Sequence, residues 1–186
     1  MLSATDPLPR RPRRILVAGT SGSGKTTLAA RIGGLLGVPH TEIDALYHGA
    51  GWTQRPEFEA DVEGFTSEDR WVTEWQYSIV RNLLAERADT VVWLDLPYPM
   101  VLARVVRRTL RRRVRREELW NGNVEPPLHT FFTDPEHVVR WSISTRNLNQ
   151  ERIPALAAAH PHLVVVRLRR RGDVDRWLRD VLVPLA

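Results

Sequence analysis

Ile15-Leu16-Val17-Ala18 runs directly into Gly19-Thr-Ser-Gly-Ser-Gly24-Lys25-Thr26-Thr27, and Leu28-Ala-Ala-Arg-Ile32 with Leu35-Leu36 follows at helical spacing. A short apolar run rich in β-branched residues reads as a buried parallel strand, and the spacing after Thr27 reads as a helix. The eight residues Gly19–Thr26 fit G-x-x-x-x-G-K-[ST], a loop whose glycines let backbone N–H groups turn inward on phosphate oxygens while the helix adds its positive end. A strand, this loop and a helix in that order commit the chain to an α/β fold.

Lys25 is the only lysine; every other basic side chain among the 27 Lys and Arg is arginine. A forked, planar guanidinium does not fit a cradle shaped to deliver one compact ammonium to the β/γ-phosphates, so lysine stands where arginine would fail. Gly19, Thr20, Ser21, Gly22, Ser23, Gly24, Lys25, Thr26 and Thr27 are therefore the expected nucleotide-binding residues. The Thr26 hydroxyl is the expected Mg²⁺ ligand and Thr27 lies nearer the α-phosphate.

With 186 residues the chain is sized for one domain, 13–186, after a proline- and arginine-rich segment, 1–12, expected to be a flexible tail without a signal peptide or anchor. The absence of cysteine excludes disulfides and thiolate metal sites and suits the cytoplasm. No apolar run approaches a membrane span. The net charge of +5 suits anionic partners.

Further strands are expected at 38–43, ending at Asp44, at 71–75, at Thr90–Leu94 and at Leu163–Leu168. Helices are expected at Pro56–Phe65, Ser78–Ala88, Pro99 to about Arg116, from Asp134-Pro135-Glu136 onward, and at Asp173–Leu182, with Pro154 interrupting or starting a helix. Five strands alternating with helices predict a three-layer sandwich around a five-stranded parallel sheet.

Asp44 and Glu74 both fall at expected C-terminal strand ends, where open α/β sheets bind ligands, and are candidates for holding metal-bound water, although either also suits a turn cap. Asp95 reads instead as a structural turn before Leu96-Pro97. Arg104, Arg107, Arg108, Arg111, Arg112 and Arg115 form one stripe of a helix whose other side carries Leu102, Val105, Val106, Thr109 and Leu110. That stripe suits phosphate contacts, a solvated face or a nucleic-acid backbone. Arg81 is a candidate contact for an anionic acceptor. Trp52 and Tyr77 suit stacking on an acceptor ring or packing in the core. The six histidines show no zinc-ligand spacing.

Taken together, the phosphate loop, Ile43-Asp44-Ala-Leu-Tyr47 with Gly51-Trp52, the strand ending Trp93-Leu-Asp-Leu-Pro97, the arginine helix and Glu118-Leu-Trp-Asn-Gly-Asn123 resemble the P-loop kinases of adenylate kinase type. The resemblance is closest to the bacterial group labelled DNA topology modulation protein. It implies ATP and Mg²⁺ as cofactors, a small-molecule acceptor bound in the region of about 44–66, and an Arg-rich helical lid at about 104–146. It also implies phosphate contacts from Arg104 and Arg108, a clamp by Arg146 or Arg152 when the lid closes, and adenine near Arg169–Asp173. Where many relatives end a strand in Asp-Gly-Asn-Tyr, this chain has Thr73-Glu74-Trp75-Gln76-Tyr77, so the resemblance gives Glu74 the aspartate's place with one methylene more. The expected function is an Mg-dependent ATP:acceptor phosphotransferase acting on a nucleotide or nucleoside-like molecule, with Asp44 as base if the acceptor is a hydroxyl. The alternative is a nucleotide-regulated nucleic-acid-binding protein that uses the arginine helix.

Overall fold

The computed structural model describes residues 1–134 and 137–186. Four parallel strands, β1 (Arg14–Gly19), β2 (Trp71–Glu74), β3 (Thr90–Leu94) and β4 (Val164–Leu168), lie in the order β2-β1-β3-β4. Val17 pairs with Glu74, Ala18 with Trp93, and Trp93 with Arg167. The helices are α1 (Lys25–Leu36), α2 (Ile43–Tyr47), α3 (Phe58–Thr66), α4 (Arg81–Arg87), α5 (Tyr98–Arg115), α6 (Thr130–Thr133), α7 (Val138–Ser144), α8 (Leu148–Ala159) and α9 (Arg171–Trp177).

Side chains alternate across each strand, so the sheet sorts its apolar residues into two cores. Ile15, Val17, Val92 and Val166 meet Leu28 and Ile32 of α1 and Trp177 of α9. Leu16, Ala18, Val91 and Val165 meet Phe58 of α3, Leu84 of α4 and Ile153 of α8. Burial on both faces is why these strands read as nearly continuous apolar runs.

The sheet has four strands where five were expected. The segment at 38–43 makes one parallel bridge, His40 to Val72, through the bonds Val72 N–H to Pro39 O (2.9 Å) and Thr41 N–H to Val72 O (3.0 Å). Pro39 has no N–H to extend a ladder, and Ile43 N–H turns away to the Glu74 carboxylate, Oε2 at 3.0 Å. Asp44 consequently lies in the first turn of α2 rather than at a strand end.

Three other local expectations differ from the structure. The first dozen residues run against the sheet: Leu2 bridges Val166 beside β4, and Ala4 and Pro12 are buried. Pro154 sits inside α8 and neither stops nor starts it. The proline is exposed, so water can meet the Gln150 carbonyl that loses its partner. Of the stripe's apolar side, Val105 and Thr109 are buried together with Val101, whereas Val106 and Leu110 are exposed. The helix start expected at Asp134-Pro135-Glu136 falls partly on residues outside those described; α7 begins at Val138, with the His137 side chain accepting from Val139 N–H.

Candidate active site

The loop between β1 and α1 is shaped by positive φ angles at Gly22 (82°) and Gly24 (100°), a region that side-chain-bearing residues seldom adopt. At Gly22 the need for glycine is also steric, since a Cβ would stand 2.2 Å from Val105 Cγ2 of α5. The Arg104 guanidinium donates to Ser23 O at 3.3 Å, and the Ser142 hydroxyl of α7 to Ser21 O at 3.5 Å. Two helices thus brace the loop from outside.

Among the described residues, the hydrogen bond of the Lys25 ammonium is a long one, 3.5 Å to Thr20 O. Burial presses its pKa below the usual lysine value; the Asp44 and Glu74 carboxylates oppose the shift and Arg108 adds to it. Burial, and then Arg112, likewise lower the pKa of Arg108, whose Nε is buried without a hydrogen-bond partner among the described residues. The buried Ser23 hydroxyl has none among them either. Two desolvated cations beside an N–H loop, neither of them in a salt bridge among the described residues, are the arrangement into which phosphate oxygens fit.

Beyond Lys25, Asp44 is held by the segment that follows β2. The Tyr77 hydroxyl donates to Asp44 Oδ1 at 2.5 Å, and the Gln76 amide donates to the same oxygen. Oδ2 has no hydrogen bond among the described residues, so one carboxylate oxygen is anchored and the other is available. Burial first, and then the Asp44 charge, push the Tyr77 phenol far above its usual pKa, which keeps it a donor. His48 Nε2 lies 3.2 Å from the same phenol oxygen. Since Tyr77 gives its proton to Asp44, His48 donates through Nε2–H, and burial keeps the imidazole neutral by lowering its pKa.

Glu74 is occupied differently. His40 Nε2 donates to Oε1 at 3.1 Å and Ile43 N–H to Oε2, so each oxygen already has a partner. Burial alone would raise its pKa, but these donors outweigh burial and leave it below the usual glutamate value. The Thr26 hydroxyl makes no hydrogen bond among the described residues. No cluster of three His, Asp or Glu side chains among them is arranged to hold a metal by itself. The Thr26 hydroxyl and nucleotide phosphate oxygens would be the ligands of a magnesium ion, which leaves Asp44 Oδ2 open.

An aromatic wall surrounds Asp44. Tyr47 stacks on Tyr77 at 3.8 Å between centroids, and His48 stacks on Trp120 at 5.6 Å. Trp52 meets His48 edge to face and takes φ 62°, while Tyr77 takes φ 58°; both lie in the left-handed region, where bulky residues are rare. The conformation at Trp52 is fixed by Asn123, whose Oδ1 accepts from Trp52 N–H (3.0 Å) and whose amide donates to Gly49 O (2.8 Å). Trp52 is partly exposed at the rim, whereas Tyr77 contacts the core.

Other arginines lie elsewhere. The Arg81 guanidinium sits 5.4 Å over the Trp75 ring. Arg146 donates to Ile143 O and borders a cavity of about 300 Å³ with Thr20, Asp95, Tyr98, Asn147 and Arg169. Asp95 is engaged by Arg167 at 2.6 and 2.9 Å, with that guanidinium over the Trp93 ring. Along α5, Arg111 pairs with Glu117 and Arg112 with Glu125, so the stripe's far end is partly neutralised within the fold.

His48, Gln76, Trp120 and Asn123 join the site without having been singled out for it. Gln76 had one available signal, its place between the two candidates Glu74 and Tyr77. Trp120 and Asn123 belonged to the segment Glu118–Asn123 of the resemblance, but neither they nor His48 could be assigned a role, because the contact they make joins turns about 70 residues apart in sequence.

A gluconokinase from Sinorhizobium meliloti 1021 superposes with a TM-score of 0.53 over 95% of this chain and 93% of its own, at 20% identity. The chain shares the fold of that protein. A shikimate kinase from Bacteroides thetaiotaomicron (TM-score 0.48, 15% identity, 90% and 95% covered) and a sugar kinase from Janibacter sp. HTCC2649 (0.45, 20%, 96% and 99%) are more distant in shape. No protein-family model matches the sequence, and no curated protein matches it. Within this fold, the phosphate loop, Lys25 and Asp44 meet at the C-terminal edge of the sheet, where open parallel sheets bind ligands.

Proposed function

We propose that this protein is a phosphotransferase that moves the γ-phosphoryl group of ATP to a hydroxyl of a small acceptor, a nucleoside-like molecule among the candidates. The observation that carries the reading is Asp44: Oδ1 is clamped by Tyr77 and Gln76, Oδ2 is uncommitted, and its charge is felt by Lys25 of the phosphate loop. A carboxylate fixed beside the donor phosphates suits a general base.

In this reading the loop N–H groups and Lys25 hold the β/γ-phosphates, and Arg104 and Arg108 neutralise charge on the transferring group. The acceptor oxygen attacks the γ-phosphorus as the bond to the β–γ bridging oxygen breaks, its proton passes to Asp44 Oδ2, and ADP leaves. Magnesium, when bound, supplies further charge neutralisation. The cavity by Thr20, Arg146 and Arg169 accommodates the nucleotide base. The 104–146 region acts as the lid. Arg81 and Arg152, close enough to depress the Arg81 pKa after burial and without an acidic partner among the described residues, read an anionic group on the acceptor.

The test is Mg-ATP turnover against a panel of nucleosides, nucleoside monophosphates and hydroxylated acids, with Lys25→Met as the blank. One stimulating acceptor, with turnover lost in Asp44→Asn and ATP affinity retained, is the expected result. Intact turnover in Asp44→Asn overturns the assignment of the base and favours an acceptor that is itself a phosphate.

A further inference from the structure

At the opposite end of the sheet, where β1 and β3 begin, a groove of about 360 Å³ opens between Arg10, Arg13, Arg14, Arg87, Asp89 and His162. The length of β1, six residues or roughly 20 Å, separates it from the phosphate loop. Nothing in the proposed reaction uses it.

Its lining, which also includes Arg11, holds five arginines against three acids, Asp69, Glu86 and Asp89. The acids keep their charge, but the oxygens of Asp89 and Glu86 are engaged by neutral donors and the arginines outnumber the acids. Asp89 accepts from the N–H groups of Arg13 and Arg14 and from the Thr90 hydroxyl, and Glu86 from the Asn82 amide. Asp69 is the acid that reaches Arg13 and Arg14, at 3.7 and 3.5 Å, and its side chain is 80% exposed, where an ion pair contributes little.

Arg10 and Arg11 are positioned by neutral groups, while Arg87 bonds Glu63 O and the Thr66 hydroxyl and also pairs with the exposed Glu63 carboxylate at 3.6 Å. Arg10 donates to the His162 carbonyl at 3.0 Å, and Arg11 and Arg70 converge on the Leu36 carbonyl at 3.3 and 2.7 Å. A carbonyl fixes a guanidinium without cancelling its charge, so most of the fork's donors stay available. Pro12, buried between Arg11 and Arg13, and the Leu2 bridge to Val166 anchor the backbone that carries them.

From this groove we infer a second anion site, separate from the nucleotide loop, that takes a multivalent phosphate. Forked guanidiniums match phosphate oxygens bidentately. His162 is the one ring on the lining and sits edge to face with His160, so the phosphates and not a base are read. Free polyphosphate and the phosphodiester backbone of a nucleic acid share that chemistry.

The experiment uses the full chain with Lys25→Met, which disables the nucleotide loop, and measures binding of inorganic tripolyphosphate and of a short fluorescent oligothymidine over a salt series. The expected result is binding that weakens with salt. Arg10→Gln with Arg13→Gln should lower the log–log salt slope by about two, one per lost phosphate contact. Arg10→Lys with Arg13→Lys should restore the slope and only part of the affinity, and the matched pair Arg107→Gln with Arg115→Gln on α5 should change nothing. Binding of tripolyphosphate assigns the site to a free anion, and binding of the oligonucleotide alone assigns it to a backbone. No binding of either probe at low salt, or loss in the α5 pair instead of the groove pair, overturns the inference, with circular dichroism confirming that each variant is folded.

Discussion

The Tyr77 hydroxyl donates to Asp44 Oδ1 across 2.5 Å, from a residue whose own backbone is held at φ 58°. A left-handed tyrosine costs roughly 1–3 kcal/mol, so the surrounding contacts over-determine it. Tyr77→Phe keeps the ring and removes the donor. If Asp44 is the base proposed above, the expected signature is a fall of about 10- to 100-fold in acceptor-dependent kcat with ATP affinity unchanged, because Asp44 loses its orientation while the phosphate loop does not. Equal losses in both parameters would mean that the hydroxyl serves the fold instead.

Gly22→Ala should disable the loop from behind. The new methyl would overlap Val105 Cγ2 in a backbone region already unfavourable to alanine. A cost of about 2–3 kcal/mol, or roughly 5–10 °C in Tm, is expected together with loss of ATP binding. Adding Val105→Ala should return part of the stability, read by thermal denaturation.

Glu74 sets an acid limb. Its pKa in the folded protein is below the ordinary glutamate value of 4.5, so its stabilisation is present above that value and is lost as pH falls through the folded-state pKa. Glu74→Gln should reduce stability at neutral pH by about 1–3 kcal/mol and flatten the decline at acid pH. Chemical denaturation across pH measures both. An unchanged acid limb in the variant would place the acid sensitivity elsewhere.

Asn123→Ala should loosen the contact between the two turns. It leaves Trp52 N–H without its acceptor and removes the donor to Gly49 O. Faster amide exchange at Trp52 than in the parent protein is expected, with a stability loss of about 1–3 kcal/mol.

Deleting residues 1–8 removes the Leu2 bridge and buried Ala4. A measurable drop in Tm is expected, whereas a detached tail would leave Tm unaltered.

What the sequence disclosed follows how local each signal is. Thr90–Leu94 was legible residue for residue because burial on both faces forces an uninterrupted apolar run, and the loop at Gly19–Thr27 because backbone conformation and charge dictate its residues directly. The segment at 38–43 has strand composition, but Pro39 and the Glu74 carboxylate decide its backbone hydrogen bonds, and the second lies 31 residues from the N–H it captures. Leu2 gave no sign of its bridge, since one residue at a sheet edge carries no periodicity. The acid at Asp44 was visible, whereas its clamp required Tyr77 and Gln76 to be brought to it by the turn after β2.

The contact between Glu74 and Ile43 N–H does by one side chain what a fifth strand would have done with a row of peptide groups. A ladder distributes positional information over many bonds and tolerates the loss of any one. Here one side chain is added to the two backbone bonds of Val72 and to the hold of Tyr77 and Gln76 on Asp44, and its length changes only in whole carbons. Glu74→Asp is the smallest possible edit to that ruler, and it would pull the start of α2 by one carbon's length toward β2 or give up the bond to Ile43 N–H.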